Sequence, residues 1–174
     1  CFASQLSCSQ MEEVLKYTRM LVLLALLVGV GRIASGQGQT ERDREQVRRD
    51  EVLIAVQQIC PVSGQKLGEH GTPIKVTIGE QKEQVFLCCR GCLQQKVEPK
   101  HWATIHANFA KAQRVCPVMK QELPQSPKWT IVEGHVVYVC CPPCTKKIEA
   151  DPKAFVRQID QLYAASLKDR AQER

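Results

Sequence analysis

Val137-Tyr138-Val139-Cys140-Cys141-Pro142-Pro143-Cys144 sets the architecture, because the chain contains it twice: Val85-Phe86-Leu87-Cys88-Cys89-Arg90-Gly91-Cys92 has the same form. Each copy is a short apolar run ending in three thiols. A fourth thiol precedes each copy, in Cys60-Pro61-Val62-Ser63-Gly64-Gln65-Lys66 and in Cys116-Pro117-Val118-Met119-Lys120-Gln121. Downstream, Glu98-Pro99-Lys100-His101-Trp102 answers Asp151-Pro152-Lys153-Ala154-Phe155. Such self-similarity marks an internal duplication, with one supersecondary unit per copy.

Within a copy, periodicity gives the elements. Ile74-Lys75-Val76-Thr77-Ile78 alternates as a half-buried strand does, Gly79 to Lys82 turns, and Val85 to Leu87 returns, which predicts a hairpin that delivers Cys88 to its end. Leu93 to Lys96 suits one or two helical turns, and Trp102, Ile105 and Phe109 recur at helical spacing. In the second copy Trp129 to Val132 and Val136 to Val139 flank a turn at Glu133-Gly134-His135, and a helix restarts near Pro152. Phe155, Val156, Ile159, Leu162, Tyr163 and Leu167 form the core stripe of that helix. The charged tail from Lys168 to Arg174 is expected to fray.

Ahead of the duplication, the sequence opens on Cys1 rather than methionine, so residues 1–10 are expected to be extraneous to the fold. Lys16 and Arg19, the apolar run Met20 to Val30, and Ala34-Ser35-Gly36 have the order of a secretory signal peptide over residues 1–36. An apolar run this short falls below the roughly 18 residues of a spanning helix. The expected location is therefore secreted or periplasmic. The alternative is a membrane anchor at residues 20–31, and an uncleaved N-terminal segment is the only membrane link foreseen. Cleavage would remove three basic and two acidic residues and leave a net charge of about +5. Without an accompanying aromatic and basic surface, that excess predicts solubility and no nucleic-acid partner. Residues 37–59 read as a charged helical leader whose last turns, through Val52, Val56 and Ile59, dock on the first repeat.

The eight cysteines that remain, Cys60, Cys88, Cys89, Cys92, Cys116, Cys140, Cys141 and Cys144, occupy matched positions, and all eight are candidate metal ligands. Metal ligation, disulfide stapling and thiol redox chemistry compete for them. A unit of about 56 residues lies below the roughly 70 residues at which an apolar core suffices alone. Zinc, at about 10–16 kcal/mol, or two disulfides, at about 2–4 kcal/mol each, would close that gap. A loop thiol followed by a hairpin that brings further thiols to a helix N-terminus is the layout of treble-clef zinc fingers. Partial positive charge there favours the thiolate, the species that binds metal. Adjacent cysteines cannot easily both face one centre, so one of each pair is expected to be the ligand. Cys89-Arg90-Gly91-Cys92 and Cys141-Pro142-Pro143-Cys144 also read as Cys-x-x-Cys redox motifs, though outside a βαβ setting. Of the histidines, His70, His101, His106 and His135, none recurs in the partner repeat. All are expected at the surface, with His101 the nearest to a cluster in sequence. No catalytic constellation or phosphate loop stands out, so no enzyme activity is expected.

The Cys-Pro-Val loop, the Cys-x-x-x-Cys closing a hairpin and the Pro-x-x-aromatic helix together resemble the YHS and TRASH domains, treble-clef-like modules tied to heavy-metal sensing, trafficking and resistance. The resemblance covers Cys60 to about Trp102 and Cys116 to about Phe155. It implies Cys88 with Cys92, and Cys140 with Cys144, as ligand pairs, joined by Cys60 or Cys116 from upstream. Two features depart from the pattern: the first cysteine precedes Pro-Val instead of following it, with Ser63 or Met119 at the usual place, and the second strand ends in two cysteines rather than one.

The expectation is thus an α+β chain with two tandem treble-clef-like modules, 60–115 and 116–174, the second carrying a C-terminal helix. It would be an exported protein of bacterial type that sequesters, carries or senses one ion per module, zinc or alternatively monovalent copper. A protein that accepts or donates the ion is the expected partner, with pairing in one chain or across a homodimer both open. The opposed readings are a disulfide-stapled interaction module and a Cys-x-x-Cys redox protein.

Overall fold

A computed structural model of the chain describes residues 34–173. Two compact units divide the chain, Cys1–Gln46 and Val47–Arg174. In the first, residues 34–46 are helical and those from Thr40 are exposed. The signal-like stretch through Val30, with the alternative anchor and the opening ten residues, lies outside the described residues. Within the described residues the fold is α+β, with two antiparallel two-stranded sheets.

Helix α1, Ala34–Gln57, ends the leader. Leu53 and Val56 are buried and Val52 is half-buried, as a docking face requires. The helix stops two residues before Ile59, because Gln58 turns to φ 68°. Ile59 instead bridges Lys66 across the first cysteine loop. Docking is not confined to the first repeat: Asp50 meets Lys75 at 2.8 Å, whereas Arg49 meets Asp160 at 2.9 Å.

The first hairpin pairs β1, Ile74–Ile78, with β2, Glu83–Leu87, from Ile74 opposite Leu87 to Ile78 opposite Glu83. The second pairs β3, Lys128–Val132, with β4, His135–Val139, from Lys128 opposite Val139 to Val132 opposite His135. The two meet where the Gln84 N–H donates to the Gly134 carbonyl at 2.7 Å. After β2 comes one 3₁₀ turn, Arg90–Gln94, then α2, Pro99–Gln113. After β4 come α3, Pro142–Ala150, and α4, Pro152–Gln172. Pro99, Pro142-Pro143 and Pro152 each open a helix, where a missing N–H costs nothing and φ is already set. Asp151 caps α4 by accepting from the Ala154 N–H.

The core gathers β2, β4, α2 and α4. Val85, Ile105, Val137, Val139, Ile148 and Ile159 are fully buried, and the rings of Phe109 and Tyr163 lie 5.6 Å apart between α2 and α4. The expected stripe on α4 buries Val156, Ile159 and Tyr163, while Phe155, Leu162 and Leu167 are half-buried. The tail departs from expectation: the helix continues through Gln172, and Asp169 reaches Arg114 at the end of α2 at 3.1 Å.

His135 is a second departure. Glu133 (φ 51°) and Gly134 (φ 83°) alone make the hairpin turn, both with the positive φ that matches strand twist. His135 therefore pairs with Val132 as the first residue of β4 and is buried rather than exposed. Burial holds its imidazole down at a pKa of about 4; Arg49 and Lys75 act in the same direction and Asp50 opposes them. The unfolded chain takes up a proton below about pH 6.5, whereas the folded one resists until about 4. Stability should therefore fall as pH drops from 6.5 to 4, by up to about 3 kcal/mol from this residue. Urea unfolding at pH 7 and pH 4.5 tests it: His135→Gln should lose less stability than the parent across that interval. Equal losses would contradict the assignment.

Candidate metal centres

Each centre starts at a cysteine loop whose backbone bonds repeat almost atom for atom. The Cys60 N–H donates to the Gln65 carbonyl at 2.8 Å and the Gly64 N–H to the Cys60 carbonyl at 2.9 Å. In the second loop, Cys116 donates to Gln121 and Lys120 to Cys116, both at 2.8 Å. Bridges Ile59 to Lys66 and Val115 to Glu122 close the two loops. The tip residue takes positive φ in both, 72° at Gly64 and 58° at Lys120.

Only the first tip requires glycine. A Cβ on Gly64 would stand 2.5 Å from His101 Nε2, and His101 Nδ1 lies 3.2 Å from the Val62 carbonyl oxygen. Gly64→Ala should therefore cost about 1–2 kcal/mol in thermal or urea unfolding. Adding His101→Ala should recover part of it, so a strictly additive double variant would rule out the contact as the cause.

Two buried glutamines tie the loops to the hairpins. Gln57 donates to the Ile59 and Phe86 carbonyls and accepts from the Phe86 N–H, at 2.7–2.9 Å. Gln113 does the same with Val115 and Tyr138, at 2.6–3.0 Å. Both side chains are fully buried. Each glutamine lies three residues before its loop cysteine, so the repeated phrase extends upstream to Gln57-x-Ile-Cys-Pro-Val and Gln113-x-Val-Cys-Pro-Val. Phe86 and Tyr138 each stand two residues before the first thiol of a hairpin end, so the clamp fixes the strand that presents Cys88 or Cys140 to the loop.

The result is convergence. The sulfurs of Cys60, Cys88 and Cys92 lie within 4.8 Å of one another, and so do those of Cys116, Cys140 and Cys144. Cys88 to Cys92 measures 3.7 Å, Cys116 to Cys144 3.8 Å and Cys140 to Cys144 4.0 Å. Zinc–sulfur bonds of about 2.3 Å in tetrahedral geometry place sulfurs ~3.8 Å apart, whereas a disulfide needs ~2.05 Å. Five of the six residues are buried, and Cys140 is half-buried.

Six of the eight expected ligands thus come together. Cys89 and Cys141 stand beside the groups: Cys89 Sγ lies 3.9 Å from both Cys88 and Cys92, and Cys141 Sγ 2.9 Å from Cys144. Both hold extended backbone just ahead of the following turn or helix, at φ −162° and −153°. In each adjacent pair the first cysteine groups with the loop sulfur, while Cys89 lies beside Cys88 and Cys92 at nearly their own separation of 3.7 Å.

Protonation is uneven within each group. Burial alone would raise Cys60, but backbone N–H groups of Ser63, Cys88 and Val62 bond to its sulfur and bring it down to about 7. The same balance lowers Cys116, with Cys140, Met119 and Val118 as donors. Burial and the neighbouring thiols push Cys92 up to about 12 and also raise Cys88, Cys140 and Cys144.

No histidine joins a three-donor group among the described residues. His70 is exposed. His106, expected at the surface, is half-buried: its Nδ1 lies 2.8 Å from the Tyr138 hydroxyl and its Nε2 3.4 Å from buried Glu83. It sits there because α2 crosses the second hairpin, placing the ring between Trp102 and Trp129 at 5.2 and 5.1 Å.

No protein-family model, no curated protein and no solved structure matches the chain. Among the described residues no helix is long and apolar enough to cross a membrane.

Proposed function

We propose that the chain is an exported metal-ion-binding protein of YHS or TRASH type, without catalysis of its own, that holds one ion in each of two cysteine centres. The observation that carries this reading is the twofold convergence of three sulfurs at spacings suited to a shared ion. Cys60 and Cys116 are the sulfurs shifted toward the thiolate in their groups, and the protons still held by the three thiols leave as the ion arrives, so loading releases protons. Zinc is the first assignment, with monovalent copper as the alternative. Three thiolates complete a trigonal copper site and leave zinc one position for water or an incoming ligand. An incompletely coordinated ion can be passed to another protein, which suits sequestration and hand-over better than a closed structural site. The order of loop, hairpin and helix in each half supports the treble-clef-like reading.

Thiol alkylation followed by mass spectrometry tests the proposal. The six grouped cysteines, Cys60, Cys88, Cys92, Cys116, Cys140 and Cys144, should resist alkylation until a chelator is added, with no reductant needed. Release by reductant alone would make the protein a disulfide-stapled module instead.

A further inference from the structure

Cys141 and Cys144 differ from every other thiol pair in the described residues. Their sulfurs are 2.9 Å apart, whereas the matched pair Cys89 and Cys92 is separated by 3.9 Å and the remaining close pairs by 3.7 to 4.0 Å. The difference has a local origin. In the second repeat Pro142 and Pro143 fill the first two positions of α3 and fix its opening turn; the Cys144 N–H donates to the Cys141 carbonyl at 3.1 Å, as the Cys92 N–H does to the Cys89 carbonyl at 3.3 Å, so the prolines and not this bond distinguish the two. In the first repeat Arg90-Gly91 leads only into a 3₁₀ turn. Access differs inside the pair as well: Cys141 is partly exposed, whereas Cys144 is buried.

We propose that Cys141 and Cys144 form a disulfide on meeting a small-molecule disulfide, and that this reaction discharges the second metal centre while the first keeps its ion. The metal consequence rests on the function proposed above; disulfide formation does not. Cys141 Sγ, as thiolate, attacks one sulfur of RS–SR. That S–S bond breaks, a mixed disulfide forms, and RS⁻ leaves to collect a proton. Cys144 Sγ then attacks the Cys141 sulfur, the mixed disulfide breaks, and a second RS⁻ leaves and is protonated. Two protein thiols are oxidised by two electrons and one reagent disulfide is reduced to two thiols. The electron pair that Cys144 would give the ion is now in the new S–S bond. Cys116 and Cys140 alone are left, one donor short. In the first repeat Cys92 keeps its place beside Cys60 and Cys88, because its partner sulfur is 1 Å farther off than in the second.

Glutathione disulfide is the probe, used anaerobically on the full chain in two states. In the reduced, metal-free chain, peptide mapping should find Cys141–Cys144 as the first disulfide, well ahead of Cys89–Cys92. In the zinc-loaded chain, a chromogenic chelator should register close to half of the bound zinc released. Cys141→Ser should slow that release roughly tenfold or more, and Cys89→Ser should leave it unchanged. Serine is a favoured residue ahead of a helix, so the Cys141 variant should fold, which circular dichroism checks. A first disulfide at any other pair, or release of both ions or neither, overturns the proposal. If the chain takes up no zinc, the functional reading fails while the mapping arm still decides the disulfide.

Discussion

Cys116→Ser is expected to lower the metal content from two ions per chain to one and to remove stability on the order of 5 kcal/mol, a substantial part of the ~10–16 kcal/mol of a structural zinc. Cys116 is fully buried and is the sulfur that the loop N–H groups of Val118 and Met119 hold toward the thiolate. A serine hydroxyl in its place stays protonated and offers a hard, neutral oxygen, so the remaining pair Cys140 and Cys144 holds a zinc or copper ion poorly. Elemental analysis and chelator-dependent unfolding measure both effects. Retention of two ions with unchanged unfolding would mean that Cys116 is only a buried thiol of the core.

Gln113→Leu should cost about 3–5 kcal/mol in urea unfolding, because it strands the Tyr138 N–H and the Tyr138 and Val115 carbonyls in the interior at ~1–3 kcal/mol each. Gln113→Glu should also destabilise, since a carboxylate cannot donate to either carbonyl. The loss should extend to the metal: once the tie between loop and strand is cut, Cys116 and Cys140 are no longer held in register, and the second centre should bind more weakly than the first. Gln57→Leu should do the same to the first centre and spare the second. A cost below about 1 kcal/mol would show that water replaces the side chain at no loss.

These contrasts mark how far the residues speak for themselves. Ile74 to Ile78 alternates because one face of the first hairpin is covered, and the stripe Val156, Ile159 and Tyr163 recurs every three or four positions because one face of α4 is, so both were legible. The duplication alone gives Cys60, Cys88 and Cys92 equivalent positions to Cys116, Cys140 and Cys144. Which thiol of Cys88-Cys89 or Cys140-Cys141 joins its group depends on how the strand leaves the hairpin, and periodicity does not carry that. The glutamines were missed because a polar side chain after charged or helical sequence reads as solvated; its burial depends on a strand some 25 to 29 residues later. The signal was nonetheless present, since both stand three residues before the loop cysteine. His135 and His106 were misplaced for a related reason: a hairpin turn one residue shorter than expected and a helix crossing are tertiary facts. Pro142-Pro143 follows the hairpin where thiols are expected at a helix N-terminus, and proline suits a first helical turn, so the start of α3 there and the restart at Pro152 were both legible.

Metal content of the purified chain, prepared under reducing conditions and assayed by elemental analysis with protein quantified by amino-acid analysis, tests the central claim most directly. The account predicts close to two equivalents of zinc or copper per chain, restored after chelation by adding the ion back. A chain recovered metal-free that rebinds neither ion with its thiols reduced would contradict it.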